Sequence, residues 1–323
     1  MKKYKKYAVL GLCILMVSGL TMTFATLSQS KRNKKIRVIY IAKTVDNSSF
    51  WGDLIHGAQM AATEYDMDLT IWAPETEDDY ETQNRQILKA IEEKPDVIAV
   101  STCKNDESMD ELRAIKEHKI KLVLIDAGTD DDLADVTVAT DNKKAGNSMG
   151  GYVRSLCKTI PKIGIVNHVE GSYTAMERER GFREGLGDYE EGIVAVAFSD
   201  SQYSLAYDVT KKMLSEHPDI QVVVGLNENS AVGAARAIKD MGLSLNIQVI
   251  GFDSSIEQIQ MLEAGVINGL IVQKPFDIGY LGMKAAVDLA KGEKTPKVIA
   301  SEYKLILKDE IYTPENQKLL FPF

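Results

Sequence analysis

The sequence predicts an α/β fold in which short buried strands alternate with amphipathic helices along the chain. Apart from Arg37, residues 36–41 and 97–100 are apolar and largely β-branched, as is typical of parallel strands that are buried on both faces. Between such runs the apolar residues recur at spacings of three and four, first in residues 51–65, which indicates helices with one buried face. The alternation continues to residue 273, and 323 residues exceed one average domain, so we expect two lobes with parallel sheets.

The composition is that of a globular protein with a large core, and it argues against a nucleic-acid partner. Apolar residues make up 45% of the chain and charged residues 26%. The 38 basic and 47 acidic residues give a net charge of −9, and no concentrated basic stretch follows residue 35. We therefore expect no nucleic acid among the partners.

No pattern in the sequence indicates catalysis, a cofactor or a metal. The three cysteines lack the spacing of a zinc site or a disulfide framework, and none of the four histidines lies in a Ser-His-Asp or metal-ligand motif. No glycine-rich phosphate loop follows the first strand, which argues against a nucleotide site. We therefore expect no enzyme, no catalytic residue, no metal and no cofactor.

Residues 1–35 predict a signal-anchor helix or a long signal peptide. Four lysines precede an uncharged run from residue 7 to residue 30, and a helix of about 20 such residues spans the roughly 30 Å core of a bilayer. No A-x-A cleavage site is evident, and residues 10–13 match a lipoprotein cleavage box only loosely. Basic residues flank the run on both sides, so charge leaves its orientation open. We expect an extracytoplasmic protein that this helix anchors to the cell membrane, or a secreted or periplasmic one if the segment is cleaved.

The turn after the first strand combines aromatic and polar side chains. Asn47 can donate and accept hydrogen bonds, and Phe50 and Trp51 follow at the start of the first helix, where Ser48 or Ser49 is a candidate N-cap. Aromatic rings beside polar groups suit a molecule with an apolar face and a rim of hydroxyls, such as a sugar. The alternative is that the aromatic pair simply packs in the core.

Polar side chains also follow the other predicted strands. Asp126, Asn227, Asp253 and Gln273 each lie at or just after the carboxyl end of a strand, as Asn47 does. Because ligands of open α/β sheets bind beyond the carboxyl ends of the strands, these side chains predict one binding site. For Asp126 alone, a turn or capping role is the alternative.

Several short motifs, in this order, resemble the periplasmic sugar-binding proteins of ABC importers, of the ribose- and galactose-binding type. They are NSSFW at 47–51, LID at 124–126, ATDN at 139–142, RERGF at 178–182, LNENSAVGAARAI at 226–238, IGFD at 250–253 and VQKPFDIG at 272–279. The resemblance covers about residues 36–310. It implies a periplasmic binding protein type I fold, with two Rossmann-like lobes joined by three hinge crossovers near residues 140, 274 and 302. The implied lobes are residues 36–140 plus 275–302 and residues 141–274 plus 303–323.

The resemblance also implies roles for individual residues. Phe50 and Trp51 would stack on a sugar ring, with Tyr203 as the candidate third aromatic residue. Hydrogen bonds to the sugar would come from Asn47, Asp126, Arg180, Asn227, Asp253 and Gln273. Arg178 and Arg180 lie two residues apart on a predicted helix and so project differently, which lets one face a ligand while the other pairs with an acid. Ribose binders often have arginine after the first aspartate, whereas this chain has Ala127.

The function implied by the resemblance is capture of a monosaccharide or similar polyol between the lobes and its delivery to an ABC transporter permease. The alternative is a membrane-anchored sugar sensor that reports to a histidine kinase or chemoreceptor. Repressors of the LacI type share the ligand-binding fold, but they begin with a helix-turn-helix, and this chain has an apolar run there.

Overall fold

The computed structural model describes residues 35–45 and 48–321 of the chain. The strands are β1 (Arg37–Ile41), β2 (Asp68–Trp72), β3 (Val97–Val100), β4 (Lys121–Ile125), β5 (Val136–Thr140), β6 (Ile163–Asn167), β7 (Ile193–Phe198), β8 (Val222–Gly225), β9 (Gln248–Phe252), β10 (Gly269–Val272), β11 (Val298–Ser301) and β12 (Lys304–Ile306). The helices are α1 (Ser49–Glu64), α2 (Tyr80–Glu92), α3 (Met109–Glu117), α4 (Asn142–Leu156), α5 (Tyr173–Leu186), α6 (Tyr203–Glu216), α7 (Glu228–Asp240), α8 (Ile256–Ala264), α9 (Pro275–Ala290) and α10 (Pro314–Leu320). Short 3₁₀ helices span Asp106–Ser108, Gly187–Gly192 and Lys308–Glu310.

The strands form two six-stranded sheets, each of which carries one lobe. The first lobe has the strand order β11-β5-β4-β3-β1-β2, and the second has the order β12-β10-β9-β8-β6-β7. Every neighbouring pair is parallel except β10 and β12. The prediction of an α/β fold with two parallel-sheet lobes is therefore confirmed, with one antiparallel edge strand that the sequence did not predict.

The chain passes between the two sheets three times. It leaves the first sheet after β5, returns after β10, and crosses again between β11 and β12. Only residues 302 and 303 separate β11 from β12, so the chain runs almost straight from one sheet into the other. This direct passage explains why β12 enters the second sheet antiparallel to β10, since no helix turns the chain around before it.

The two helices that follow the first crossing pack with their backbones in close contact. Glycines lie four residues apart on both, at Gly146 and Gly150 of α4 and at Gly181 and Gly185 of α5. A Cβ at any of these four glycines would clash with backbone atoms of the facing helix. This contact determines that the face of α5 with Gly181 and Gly185 packs against α4.

Helix starts agree with the capping chemistry of the sequence. The side chain of Ser48 accepts a hydrogen bond from the Trp51 N–H at 3.5 Å, which confirms Ser48 as the N-cap of α1. Helix α7 begins at Glu228, and the side chain of its N-cap Asn227 accepts a hydrogen bond from the Ser230 N–H at 2.9 Å.

Within residues 35–45 and 48–321, no helix is long and apolar enough to cross a membrane. The predicted N-terminal helix falls on residues 7–30, which lie outside the described ranges.

Candidate functional site

A small cavity lies where the carboxyl ends of both sheets face each other. From the first lobe it is lined by Lys43, Ser48, Phe50, Trp51, Glu77 and Asp126. From the second lobe it is lined by His168, Thr174, Arg178, Asn227, Glu228, Asn229, Asp253 and Gln273. Its volume is about 30 Å³, so a solute larger than water enters only when the lobes or side chains move apart.

The same strand-end positions of the two sheets supply the polar lining. The strand registers make Asp126 the counterpart of Asp253, and Lys43 the counterpart of His168. Asp126 and Asp253 each donate a backbone N–H to the neighbouring strand, and both have left-handed φ angles, +68° and +76°. Aspartate tolerates this conformation better than most residues. The left-handed backbone turns each carboxylate away from the strand and into the cavity.

Asp253 is held in a hydrogen-bond network of the second lobe. Its carboxylate accepts from the Gln273 side-chain amide at 2.6 Å and from the Glu228 N–H at 2.9 Å. Burial raises the pKa of Asp253, while the positive charge of Arg178 opposes that rise. The side-chain carbonyl oxygen of Gln273, Oε1, is buried and has no hydrogen-bond partner among the described residues. A ligand hydroxyl that donates to this oxygen would satisfy it.

Arg178, rather than Arg180, supplies the arginine of the cavity. Arg178 is 3% exposed, and its guanidinium donates to the Asn142 side-chain oxygen and to the Leu226 carbonyl, both at 2.8 Å. It also lies 3.9 Å from the centre of the Phe252 ring. Burial lowers the pKa of Arg178, and the carboxylates of Asp253 and Asp126 oppose this effect.

Arg180, which the resemblance selected, is not brought to the cavity. Its side chain is 58% exposed and forms ion pairs with Glu177 and Glu184 on the surface of α5. Residues two apart on a helix point in very different directions, whereas Arg178 shares its face with Gly181, three residues later. The glycine spacing in α5 is therefore the sequence signal that distinguishes the inward arginine from the outward one.

Lys43 and Asp126 form a buried ion pair beside the cavity. The Lys43 Nζ lies 3.1 Å from Asp126 Oδ2, and the two side chains are 2% and 4% exposed. The structure thus brings Asp126 to the site, as the strand-end pattern predicted, together with a lysine that no sequence pattern singled out. A buried ion pair is stable only where its remaining hydrogen bonds are also made.

The two aromatic side chains of the first turn differ in burial. Trp51 is 2% exposed, and its indole N–H donates to Glu77 Oε1 at 2.8 Å. Phe50 meets Trp51 edge to face, with ring centroids 5.2 Å apart, and borders both the cavity and a neighbouring groove. Asn47, the polar member of this predicted group, lies outside the described residues.

The two remaining predicted residues, Asn227 and Tyr203, form hydrogen bonds with residues around the cavity. Asn227 borders it, but its side chain caps α7 and donates to Ser201 Oγ at 3.1 Å. Tyr203 lies in a separate groove of about 680 Å³, and its hydroxyl donates to Glu228 Oε1 at 2.6 Å. Tyr203 therefore holds a carboxylate of the cavity wall rather than lining the cavity.

His168 is a cavity residue that the sequence did not identify. Its Nε2 lies 3.0 Å from Thr174 Oγ1, and its Nδ1 has no hydrogen-bond partner within the described part of the chain. Burial lowers the pKa of His168 well below its usual range, and the positive charges of Arg178 and Lys43 lower it further. The ring is therefore neutral at physiological pH.

A larger groove of about 990 Å³ opens beside the cavity, on the side of the crossings between the lobes. The two spaces share the residues Phe50, Glu228, Asp253 and Gln273 as a common wall. Among the described residues, no cluster of three or more His, Cys, Asp or Glu side chains is arranged to hold a metal ion.

Comparison with known sequences agrees with this architecture. A sequence model described as periplasmic binding protein domain matches residues 38–294. The chain is 25% identical over 294 residues to the ribose import binding protein of Salmonella typhimurium, covering 91% of this chain and 97% of that protein. It is 27% identical over 316 residues to the D-allose-binding periplasmic protein of Escherichia coli, with 95% and 98% covered.

Solved structures give the same result. A sugar transporter from Clostridium phytofermentans superimposes with a TM-score of 0.81 at 45% identity, covering 85% of this chain and 100% of that chain. An ABC transporter solute binding protein from Agrobacterium vitis with bound D-fucose has a TM-score of 0.84 at 27% identity, with 88% and 100% covered. The chain belongs to the family of periplasmic binding protein domains.

Proposed function

We propose that the protein binds a monosaccharide or similar polyol between its lobes and delivers it to the permease of an ABC importer outside the cytoplasm. The observation that carries this proposal is the convergence of strand-end side chains from both sheets on one small cavity. Such a site at the carboxyl ends of parallel strands is where α/β folds bind small ligands.

The chemistry of the lining matches a sugar. Hydroxyl groups donate and accept, and the cavity offers acceptors at Asp126 and Gln273 and a donor at Arg178. The Phe50 and Trp51 rings supply an apolar surface for the faces of a sugar ring. An anionic solute fits less well, because four carboxylates and only two permanent cations line the described part of the cavity.

We propose that binding closes the molecule like a hinge. The lobes in this proposal are residues 36–140 plus 275–302 and residues 141–274 plus 303–323, with the three crossings as hinges. A ligand that touches both lobes favours the closed state, because only there are all of its hydroxyls paired. The small volume of the cavity supports this proposal, since entry of a sugar requires an open state.

The relatives narrow the choice of ligand to be tested first. Those named above are a ribose import binding protein, a D-allose-binding protein and a protein solved with D-fucose. Another structural neighbour, from Geobacillus stearothermophilus, is a glucose-galactose binding protein. Pentoses, hexoses and deoxyhexoses are therefore the first ligands to examine.

The test is thermal unfolding of the purified full chain with a panel of these sugars, and with inositols, disaccharides and sugar acids. A sugar at about 100 times its Kd adds about 2.7 kcal/mol to the free energy of unfolding, which raises the Tm visibly. A rise with at least one neutral sugar, followed by calorimetric measurement of the Kd, is the expected result. If no neutral sugar raises the Tm, the proposed function is wrong.

A further inference from the structure

A groove of about 680 Å³, which we call the mouth groove, lies between the lobes on the side away from the three crossings. It is lined by residues 75–77, which follow β2, and by residues 200–204, which follow β7. Strands β2 and β7 end the two sheets on the opposite side from β11 and β12, where the chain crosses. When the lobes rotate about the crossings, this side separates most, so we expect a solute to enter here.

The mouth groove adjoins the cavity directly. The two spaces share Ser48 and Glu77 from the first lobe and Asn229 from the second lobe as lining residues. Because both lobes contribute to this boundary, it opens when the lobes separate. Sites for small molecules measure about 300–1,000 Å³, so the mouth groove has room for a further sugar unit of a solute that is held in the cavity.

Two consecutive residues that line the mouth groove have a strained backbone. Asp200 and Ser201 have left-handed φ angles of +46° and +55°. The Asn227 side chain donates to Ser201 Oγ at 3.1 Å, and the Asn229 side chain donates to the Ser201 carbonyl at 2.5 Å. Strained backbone of this kind occurs often at ligand-binding sites. The same two asparagines therefore shape the cavity wall and the lining of the mouth groove.

Two tyrosine rings line the mouth groove from α6. Tyr203 and Tyr207 are four residues apart, so they lie on the same face of the helix. The Arg236 guanidinium lies 5.4 Å from the centre of the Tyr203 ring, and the Lys211 ammonium lies 5.2 Å from the centre of the Tyr207 ring. Because these contacts and the bond from the Tyr203 hydroxyl to Glu228 orient the rings, little ordering remains for a ligand to impose.

The charges of the mouth groove favour a neutral ligand group. Its described lining residues include the carboxylates of Glu75, Glu77 and Asp200 and the guanidinium of Arg236. That guanidinium already pairs with both carboxylate oxygens of Glu257, at 2.7 and 2.6 Å. An anionic group would face three carboxylates, whereas the hydroxyls of a neutral sugar can donate to them.

We propose that the natural solute is a glycoside or disaccharide, with one sugar ring in the cavity and a neutral second unit against the tyrosine rings of the mouth groove. This inference rests on the proposed sugar-binding function and goes beyond it, because it gives the solute a second unit and a second place of contact. The rings of Tyr203 and Tyr207 offer an apolar surface to the second unit, and the carboxylates accept from its hydroxyls. Closure brings the walls of both lobes against this unit.

The experiment measures calorimetric Kd values of the full chain for the monosaccharides of the panel and for disaccharides that have one of them as the non-reducing unit. The reducing unit is a neutral sugar or a uronic acid. Tyr207→Ala removes a ring of the mouth groove, and Tyr207→Phe keeps the ring without its hydroxyl. Tyr312→Ala is the matched control, because the Tyr312 hydroxyl also donates to an exposed carboxylate of the second lobe, that of Glu263.

We expect at least one neutral disaccharide to bind about 10-fold more tightly than its monosaccharide, as for contact of a further ring with an aromatic side chain. The disaccharide with a uronic acid shows no such gain. Tyr207→Ala removes most of the gain and leaves the Kd of the monosaccharide within about twofold of wild type. Tyr207→Phe and Tyr312→Ala leave every Kd within about twofold of wild type.

The outcomes that overturn this inference differ from those that overturn the sugar-binding function. If a monosaccharide binds and no neutral disaccharide binds more tightly, the inference is wrong and the function stands. The inference is also wrong if the uronic acid disaccharide gains as much as the neutral one, or if Tyr207→Ala changes the Kd of monosaccharide and disaccharide by the same factor. If no neutral sugar of either size binds, the function and the inference fall together.

Discussion

Replacing Arg178 by methionine tests whether a buried guanidinium stabilises the second lobe. The substitution removes two charge-assisted hydrogen bonds of 2.8 Å and the contact of the charge with the Phe252 ring at 3.9 Å. It also leaves Asp253 buried without its opposing positive charge. A hydrogen bond from a charged group contributes about 1.5–3 kcal/mol, so we expect the loss of two such bonds to lower the free energy of unfolding by about 4 kcal/mol. For a protein of this size, that corresponds to a fall in Tm of about 7 °C.

Arg180→Met is the matched control, because the two arginines lie two residues apart on the same helix. The exposed pairs of Arg180 with Glu177 and Glu184 contribute little, so we expect a change within about 0.5 kcal/mol. Urea unfolding of wild type and both variants, followed by circular dichroism, measures the difference. Calorimetry with the identified sugar should show binding weakened 10-fold or more in Arg178→Met and unchanged in Arg180→Met. Equal losses in the two variants, or a loss under about 1 kcal/mol in Arg178→Met, would refute the reasoning.

Three further predictions follow from the packing and the charges of the site. Gly151→Ala should stabilise the protein by about 0.5–1 kcal/mol in urea unfolding, because a Cβ at residue 151 meets no atom within 4 Å. Gly150→Ala should destabilise it, because a Cβ at residue 150 clashes with the facing helix. If Gly150→Ala were the more stable variant, the described packing of α4 on α5 would be contradicted. Since the pKa of folded His168 is lowered, the unfolded chain binds a proton more readily below about pH 6.5, so wild type loses stability as the pH falls. His168→Gln should lose less between pH 7 and pH 5, and parallel stability curves would argue against a buried neutral imidazole. Asp253→Ala should weaken sugar binding 10-fold or more by calorimetry. Asp240→Ala is the control, at an exposed aspartate that accepts from a tyrosine hydroxyl, and should leave the Kd unchanged. If the Kd values of Asp253→Ala and wild type were equal, Asp253 would not belong to the site.

The strand-end residues were predictable because the end of a parallel strand fixes where its next side chain lies. Asp126, Asp253 and Gln273 follow apolar runs that are unmistakable in the sequence, and the structure brings all three to the cavity. The edge strands β11 and β12 were not predicted, because they are short and partly exposed. The position of β12 also depends on the crossing of the chain between the two sheets, which no local sequence pattern indicates.

Lys43 was missed, and Arg180 was selected in place of Arg178, for different physical reasons. A lysine just after a strand usually reaches solvent, and its burial depends on an aspartate 83 residues later and a threonine 131 residues later, which no local pattern reveals. For Arg178 a local signal did exist, since the glycines of α5 mark the face that packs on α4. The choice between two arginines thus required knowing which face of the helix touches its neighbour.

The matching of strand-end positions between the two sheets has a consequence for altering the specificity of this protein. A pocket with the same residue at each matched pair would be two-fold symmetric, yet a sugar has no such symmetry. Under the proposed function, the difference between Lys43 and His168 would let each half contact a different side of the sugar. Asp253 and Gln273 bond to each other within one half, and Lys43 and Asp126 within the other, while the Lys43–Thr174 hydrogen bond joins the halves. Either half is therefore open to redesign at positions other than Lys43 and Thr174 while the other keeps its hydrogen bonds. For the proposed sugar ligand, we expect that specificity can be changed one face of the sugar at a time at those positions.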